Sequence, residues 1–190
     1  MTKSIMIVGV GGQGSLLASN LLGKLLLEEN YDVKVSEVHG MSQRGGSVVT
    51  YVRFGDKVYS PIIEKGGADF VVSFEKLEAG RFTDYLKEGG TVITNTQQID
   101  PMPVVTGAME YPSDILDEVA SKVNLDALDA LSLAEEAGSS RAVNIVLMGR
   151  LAKYLGIPYE KWEEALKKVV KPRFVDINLK ALSLGYNYAE

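Results

Sequence analysis

Residues 5–15, IMIVGVGGQGS, decide the fold. A run of apolar, partly β-branched residues stops at a glycine cluster, and a leucine-rich helical pattern starts directly behind it. The chain therefore reads strand, tight turn, helix, the entry unit of a Rossmann-type sheet. Gly9, Gly11 and Gly14 carry the G-x-G-x-x-G spacing. That spacing lets the backbone turn sharply, lie close to a phosphate, and leave the first amides of the helix aimed at an anion. Gly12, Gln13 and Ser15 complete the candidate binding turn, although Gln13 and Ser15 read equally well as caps of the first helical turn.

Outward from this turn, residues 4–10 are predicted as a buried parallel strand and residues 14–29 as its crossover helix, closed by Asn30. A second strand, Val33 to Val38, carries Glu37 roughly twenty residues past the last motif glycine. Two readings of Glu37 stay open: an acid for ribose hydroxyls, or a strand-end carboxylate that is solvated or caps the next loop. That loop, HGMSQRGGS from His39 to Ser47, departs from an ordinary nicotinamide-binding pattern. Gly45 and Gly46 can bring amides together as a nest, Arg44 offers a planar fork to phosphate or carboxylate, and Ser42 and Gln43 add donors. The competing reading is a plain turn with an exposed arginine. Ser47–Phe54, the turn pair Gly55-Asp56, and Lys57–Ile63 are predicted as an inserted β-hairpin.

Alternation then resumes with a strand over 68–74, a helix over 75–86 and a strand over 91–95. Residues 96–112 read as irregular, because Pro101, Pro103 and Pro112 remove ladder donors. Beyond them the pattern gives a helix from Ser113 to about Ser121, a strand over Lys122–Ala127 and a short helix over Leu131–Ala137. Three further helices follow. The first runs over Arg141–Leu155 behind a Ser139 or Ser140 cap, the second opens at Pro158 and buries Trp162 and Leu166, and the last spans Phe174–Gly185. The expected fold is α/β: one domain over 1–190, a Rossmann-like, mostly parallel sheet flanked by helices, with an inserted β-hairpin and C-terminal helices.

Composition excludes most catalytic classes. The chain has 190 residues, 46% hydrophobic and 24% charged, a net charge of −5, no cysteine and one histidine. The acidic balance, without a basic stripe, argues against nucleic acid. No stretch reaches the roughly 18 apolar residues of a membrane span. The N-terminus enters a strand without a basic or cleavage-type segment, so a cytoplasmic location is expected. Lack of cysteine removes disulfides, thiolate zinc sites and the ligands of iron–sulfur clusters. The lone His39 reads either as an acid–base group or as structural, and no metal site is expected.

Two segments together point to a family. GVGGQGSLLASNLLG (Gly9–Gly23) followed by SEVHGMSQRGGSVVTYVRFG (Ser36–Gly55) resembles the gamma-type subunit of the 2-oxoacid:ferredoxin oxidoreductases, the second segment being most like the small beta subunit of the indolepyruvate:ferredoxin oxidoreductases. The similarity extends through Asp126–Ala152 and Lys171–Tyr186. The resemblance implies a complex that decarboxylates an aryl 2-oxoacid on thiamine diphosphate with Mg, passes electrons through [4Fe-4S] clusters to ferredoxin, and releases an acyl-coenzyme A. A large partner subunit would hold those cofactors. This chain would be inactive alone, completing the active-site entrance and helping to receive coenzyme A through both glycine loops. Two other readings remain: a free-standing NAD(P)- or FAD-binding protein, and a purely structural subunit.

Overall fold

The computed structural model describes residues 2–40 and 45–189. Its sheet is built around β1 (Lys3–Val10), whose side chains alternate between two buried layers: Ile5 and Ile7 face one, Met6 and Val8 the other, all fully buried. Burial on both faces is why this strand is a continuous apolar run. The turn behind it opens α1 (Ser15–Glu28), which closes at Asn30 in a left-handed conformation (φ 63°). The chain continues through β2 (Asp32–His39), β3 (Ser47–Gly55), β4 (Ala68–Ser73), α2 (Lys76–Phe82) and β5 (Leu86–Asn95). After α3 (Met102–Val105), α4 (Ile115–Lys122), β6 (Asn124–Leu128) and α5 (Ala130–Ala137) come α6 (Val143–Leu155), α7 (Tyr159–Val169) and α8 (Val175–Tyr186).

Among the described residues the sheet has six strands in the order β2-β3-β1-β4-β5-β6. β1, β4, β5 and β6 run parallel, while β3 is antiparallel to both its neighbours. An antiparallel insertion is therefore present, but the expected hairpin of Ser47–Phe54 with Lys57–Ile63 does not form, and β2 takes the partner's place. β3 pairs with β2 along its length, Asp32↔Gly55 through His39↔Val48, and with β1 from Lys3↔Phe54 to Val10↔Ser47. Both edges of β3 are occupied, so no ladder remains for Lys57–Ile63. That segment runs as a loop, held where Val58 N–H donates to Asp32 Oδ2 (2.8 Å) and where Arg53 donates to the carbonyls of Ser60 and Ile62 (3.1 and 3.0 Å).

Smaller boundary shifts have local causes. β5 begins before the glycine pair, and Gly89 (φ 76°) sits where the β4–β5 register slips, so the pair marks an irregularity inside the strand pairing rather than a turn before it. α4 keeps Lys122, and β6 starts at Asn124. The larger core lies between the sheet and α1, α5, α6, α7 and α8, with Leu21, Leu25, Leu147, Leu151 and Trp162 at its centre. α2 and α4 cover the opposite face through Ala79, Ile115 and Val119. α7 buries Trp162, Ala165 and Leu166 and turns Lys167 and Lys168 to solvent, the amphipathic pattern expected of it.

Candidate functional site

The glycine turn sits at the carboxyl end of β1, where ligands of open α/β sheets bind. Gly12 (φ 105°) and Gly14 (φ 87°) take left-handed backbone that an L side chain would strain. Gln13 locks the turn: its Oε1 accepts from Val10 N–H (2.8 Å) and its Nε2 donates to the Phe74 carbonyl (3.0 Å). Buried Asn95 donates to the same carbonyl (3.2 Å) and accepts from Ala130 N–H (3.1 Å), so β4, β5 and α5 brace the turn from behind. Gly9 is the place of close approach, since a Cβ there would stand 3.1 Å from Phe74 Cβ. At Gly14, the carbonyl accepts from Asn144 Nδ2 (3.0 Å), and any side chain would run into that amide.

Among the described residues the amides of Gly14, Ser15 and Leu16 donate to no backbone carbonyl, and α1 has no side-chain cap. Its positive end is open. The two glycine loops are joined: Gly11 N–H donates to the Gly46 carbonyl (2.8 Å), and Gly45 N–H to the Gly11 carbonyl (3.3 Å). Gly45 (φ 75°) takes left-handed backbone, but its amide is spent on the Gly11 carbonyl, which leaves the Gly46 amide as the donor of that glycine pair without a backbone partner among the described residues. The expectations for Ser42, Gln43 and Arg44 fall outside the described residues.

Two cavities flank this junction. The larger, about 760 Å³, lies between the glycine turn, Gln97, Ile99, Arg141 and Asn144. Arg141 belongs to a 3-10 turn, Ser140–Ala142, that leads into α6, and Ser139 Oγ accepts its backbone N–H (3.3 Å). Its guanidinium is exposed at the cavity and forms no ion pair among the described residues. Arg141 and Asn144 were absent from the sequence-derived site. The serine pair followed by an arginine at a helix start was the available signal, but nothing in the spacing tied it to a turn about 130 residues away.

The smaller cavity, about 210 Å³, is lined by Gly11, Gly12, Ser15, Glu37, His39 and Val48. Here Glu37 Oε2 accepts from Ser15 Oγ (3.1 Å) and from Thr50 Oγ1 (3.2 Å), bracing α1 against the β2–β3 pair. With β3 intervening, β2 stands two strand spacings from β1, about 10 Å rather than the about 5 Å of an adjacent strand. The acid is thus displaced from the place where a dinucleotide ribose would meet it, which weighs against the NAD(P) reading. His39 is exposed, its Nδ1 lying 3.1 Å from the Gly40 carbonyl, with no other hydrogen bond among the described residues.

Among the described residues no group of three or more His, Cys, Asp or Glu is placed to hold a metal ion, and no helix is long and apolar enough to cross a membrane.

Comparison with known proteins extends this geometry. The family model for pyruvate ferredoxin/flavodoxin oxidoreductase matches residues 4–188. The chain is 47% identical to the indolepyruvate oxidoreductase subunit IorB of Pyrococcus horikoshii, over 98% of this chain and 96% of that one. The fold is shared with pyruvate oxidoreductase subunit PORC of Thermotoga maritima: TM-score 0.77 at 22% identity, covering 100% of this chain and 97% of that one. It is also shared with the 2-oxoglutarate:ferredoxin oxidoreductase of Magnetococcus marinus, where 97% of this chain matches 30% of a longer one, at TM-score 0.68 and 19% identity. By a match that runs almost from end to end, the chain belongs to the pyruvate ferredoxin/flavodoxin oxidoreductase family, as an oxidoreductase subunit.

Proposed function

We propose that this chain is the small subunit of a cytoplasmic complex that oxidatively decarboxylates an aryl 2-oxoacid, indolepyruvate foremost, to an acyl-coenzyme A with reduction of ferredoxin. Its joined glycine loops receive the coenzyme A pyrophosphate at the mouth of the active site. The observation that carries this reading is the pair of backbone hydrogen bonds between Gly11 and the Gly45-Gly46 segment. They hold the second glycine loop against the open start of α1, so that the first amides of that helix and the Gly46 amide are the donors left for an anion.

Each part of the surface has a role in that reading. The free amides at the start of α1 supply partial positive charge, and Arg141 adds a full one across the larger cavity. Gln13 and Asn144 hold the turn in place before any ligand arrives, which lowers the ordering cost of binding. Leu17, Ile99, Leu131 and Val143 give the same cavity an apolar wall suited to the non-phosphate parts of the coenzyme. The cysteine-free chain does not fit an iron–sulfur cluster, and thiamine diphosphate with its magnesium is read as lying with the clusters on the partner, as the family resemblance implies. Those groups are assigned to the large subunit, and no step of their chemistry runs through this chain.

In the reconstituted complex, Arg44→Ala is expected to raise the apparent KM for coenzyme A or for the 2-oxoacid by about 10- to 100-fold. That corresponds to losing a charged hydrogen bond of about 1.5 to 3 kcal/mol. Steady-state kinetics with each substrate varied in turn checks it, and unchanged KM values for both would sink the assignment.

A further inference from the structure

The segment between β5 and α4 forms a flap that leaves the larger cavity at Gln97 and Ile99. Its feet are fixed by Glu75, which is 1% exposed: one carboxylate oxygen, Oε1, accepts from Ile99 N–H (3.2 Å) and from the Tyr111 hydroxyl. The other oxygen, Oε2, caps α2 by accepting from Glu78 N–H (3.0 Å), and Lys76 N–H donates to the Gln97 carbonyl (3.2 Å). Burial, together with the adjacent carboxylate, pushes the Tyr111 phenol well above its ordinary range, so it stays a donor at any working pH.

Between these pinned feet the tip turns its apolar side chains outward. Met102, Val105 and Met109 are 70%, 66% and 64% exposed, around the single helical turn of α3. Such side chains in an anchored segment bury little of their apolar surface in this chain, and methionine surfaces adapt readily to a partner. The rim is acidic: Asp100, Glu110 and Asp114 are exposed, and no lysine or arginine lies between Lys87 and Lys122.

We propose that the flap tip, Met102, Val105 and Met109, is a docking knob for the large subunit of the complex, entering an apolar pocket rimmed by basic side chains. This rests on the functional reading above. Gln97 and Ile99, at the foot of the flap, line the same cavity as the glycine turn, so a subunit that completes the site across that cavity comes up against this foot. A second copy of this chain is the poorer occupant. A two-fold contact through the tip would set Asp100, Glu110 and Asp114 against their own equivalents. In the Magnetococcus protein the matching region is under a third of a longer chain, covalently joined to the rest of its polypeptide.

The test is co-production of the full chain with its large, thiamine- and cluster-binding subunit, with Met102→Glu/Val105→Glu as the variant. Three measurements are made: subunit affinity by titration, the melting temperature of the isolated small subunit, and coenzyme A-dependent 2-oxoacid oxidation by the wild-type complex. The expected result is an unchanged melting temperature with affinity weakened at least 30-fold, and affinity for the charge-reversed Asp100→Lys/Glu110→Lys chain lowered less steeply and in a salt-dependent way. Wild-type affinity in the glutamate variant, beside an active wild-type complex, overturns the docking surface and leaves the functional reading standing. Loss of self-association in place of loss of the large subunit would assign the tip to a second copy and overturn the proposal. Failure of the wild-type pair to assemble overturns both.

Discussion

Gly185→Ala is expected to lower the melting temperature of the chain by about 6–12 °C, the equivalent of about 3 kcal/mol for a chain of this size. α6 and α8 pack so closely that a methyl group at Gly185 would stand inside the contact distance of the Val146 carbonyl, and one at Gly149 would meet the Leu182 carbonyl. The obstacle is backbone within a helix, so no side-chain rotation relieves it. Alanine gains up to about 1 kcal/mol of helix propensity over glycine, and near the end of α8 that gain is smaller still. The steric term therefore wins. Thermal unfolding followed by circular dichroism checks this, and an unshifted midpoint would mean that the two helices do not approach as described.

Arg150→Met is expected to cost about 3 to 5 kcal/mol, because it leaves a buried carboxylate without its cation. Arg150 on α6 donates from Nε to Asp126 Oδ2 of β6 (2.6 Å), with the side chains 12% and 3% exposed, and Tyr154 donates to the same oxygen (2.5 Å). Asp126 Oδ1 has no hydrogen-bond partner among the described residues, so little is left to hold the charge once the arginine is gone. A second Arg150 nitrogen donates to the Tyr188 carbonyl (2.8 Å), tying the chain end to α6. The double variant Asp126→Leu/Arg150→Met removes both charges and is expected to be more stable than Arg150→Met alone, since an apolar pair replaces a buried ion pair at little net cost. Urea unfolding of the two variants decides it. A double variant no more stable than the single one would contradict this electrostatic account.

The glycine turn, α1 and the amphipathic α7 were legible because their signals are local: a period, a spacing and a breaker within a few residues. The assignment of β3 was harder. Its alternating apolar residues announce a strand, but the choice between pairing with Lys57–Ile63 and inserting between β1 and β2 depends on which ladder is free, a property of the assembled sheet. Gln13 illustrates the same limit at the site. Its position suggested a ligand contact or a cap, and it proves to tie Val10 to Phe74, a residue 61 positions away. Arg141 and Asn144 reach the cavity only because α6 packs its first turn against the start of α1, a contact no motif spacing records.

The central claim is that the joined glycine loops of this chain receive coenzyme A within a larger complex. A structure of the complex with coenzyme A bound tests it most directly. The pyrophosphate is predicted within about 3 Å of the free amides at Gly14 and Ser15 or of the Gly46 amide, with Arg141 turned towards it. A coenzyme A held wholly by the large subunit, with its phosphates touching neither loop, would contradict the claim.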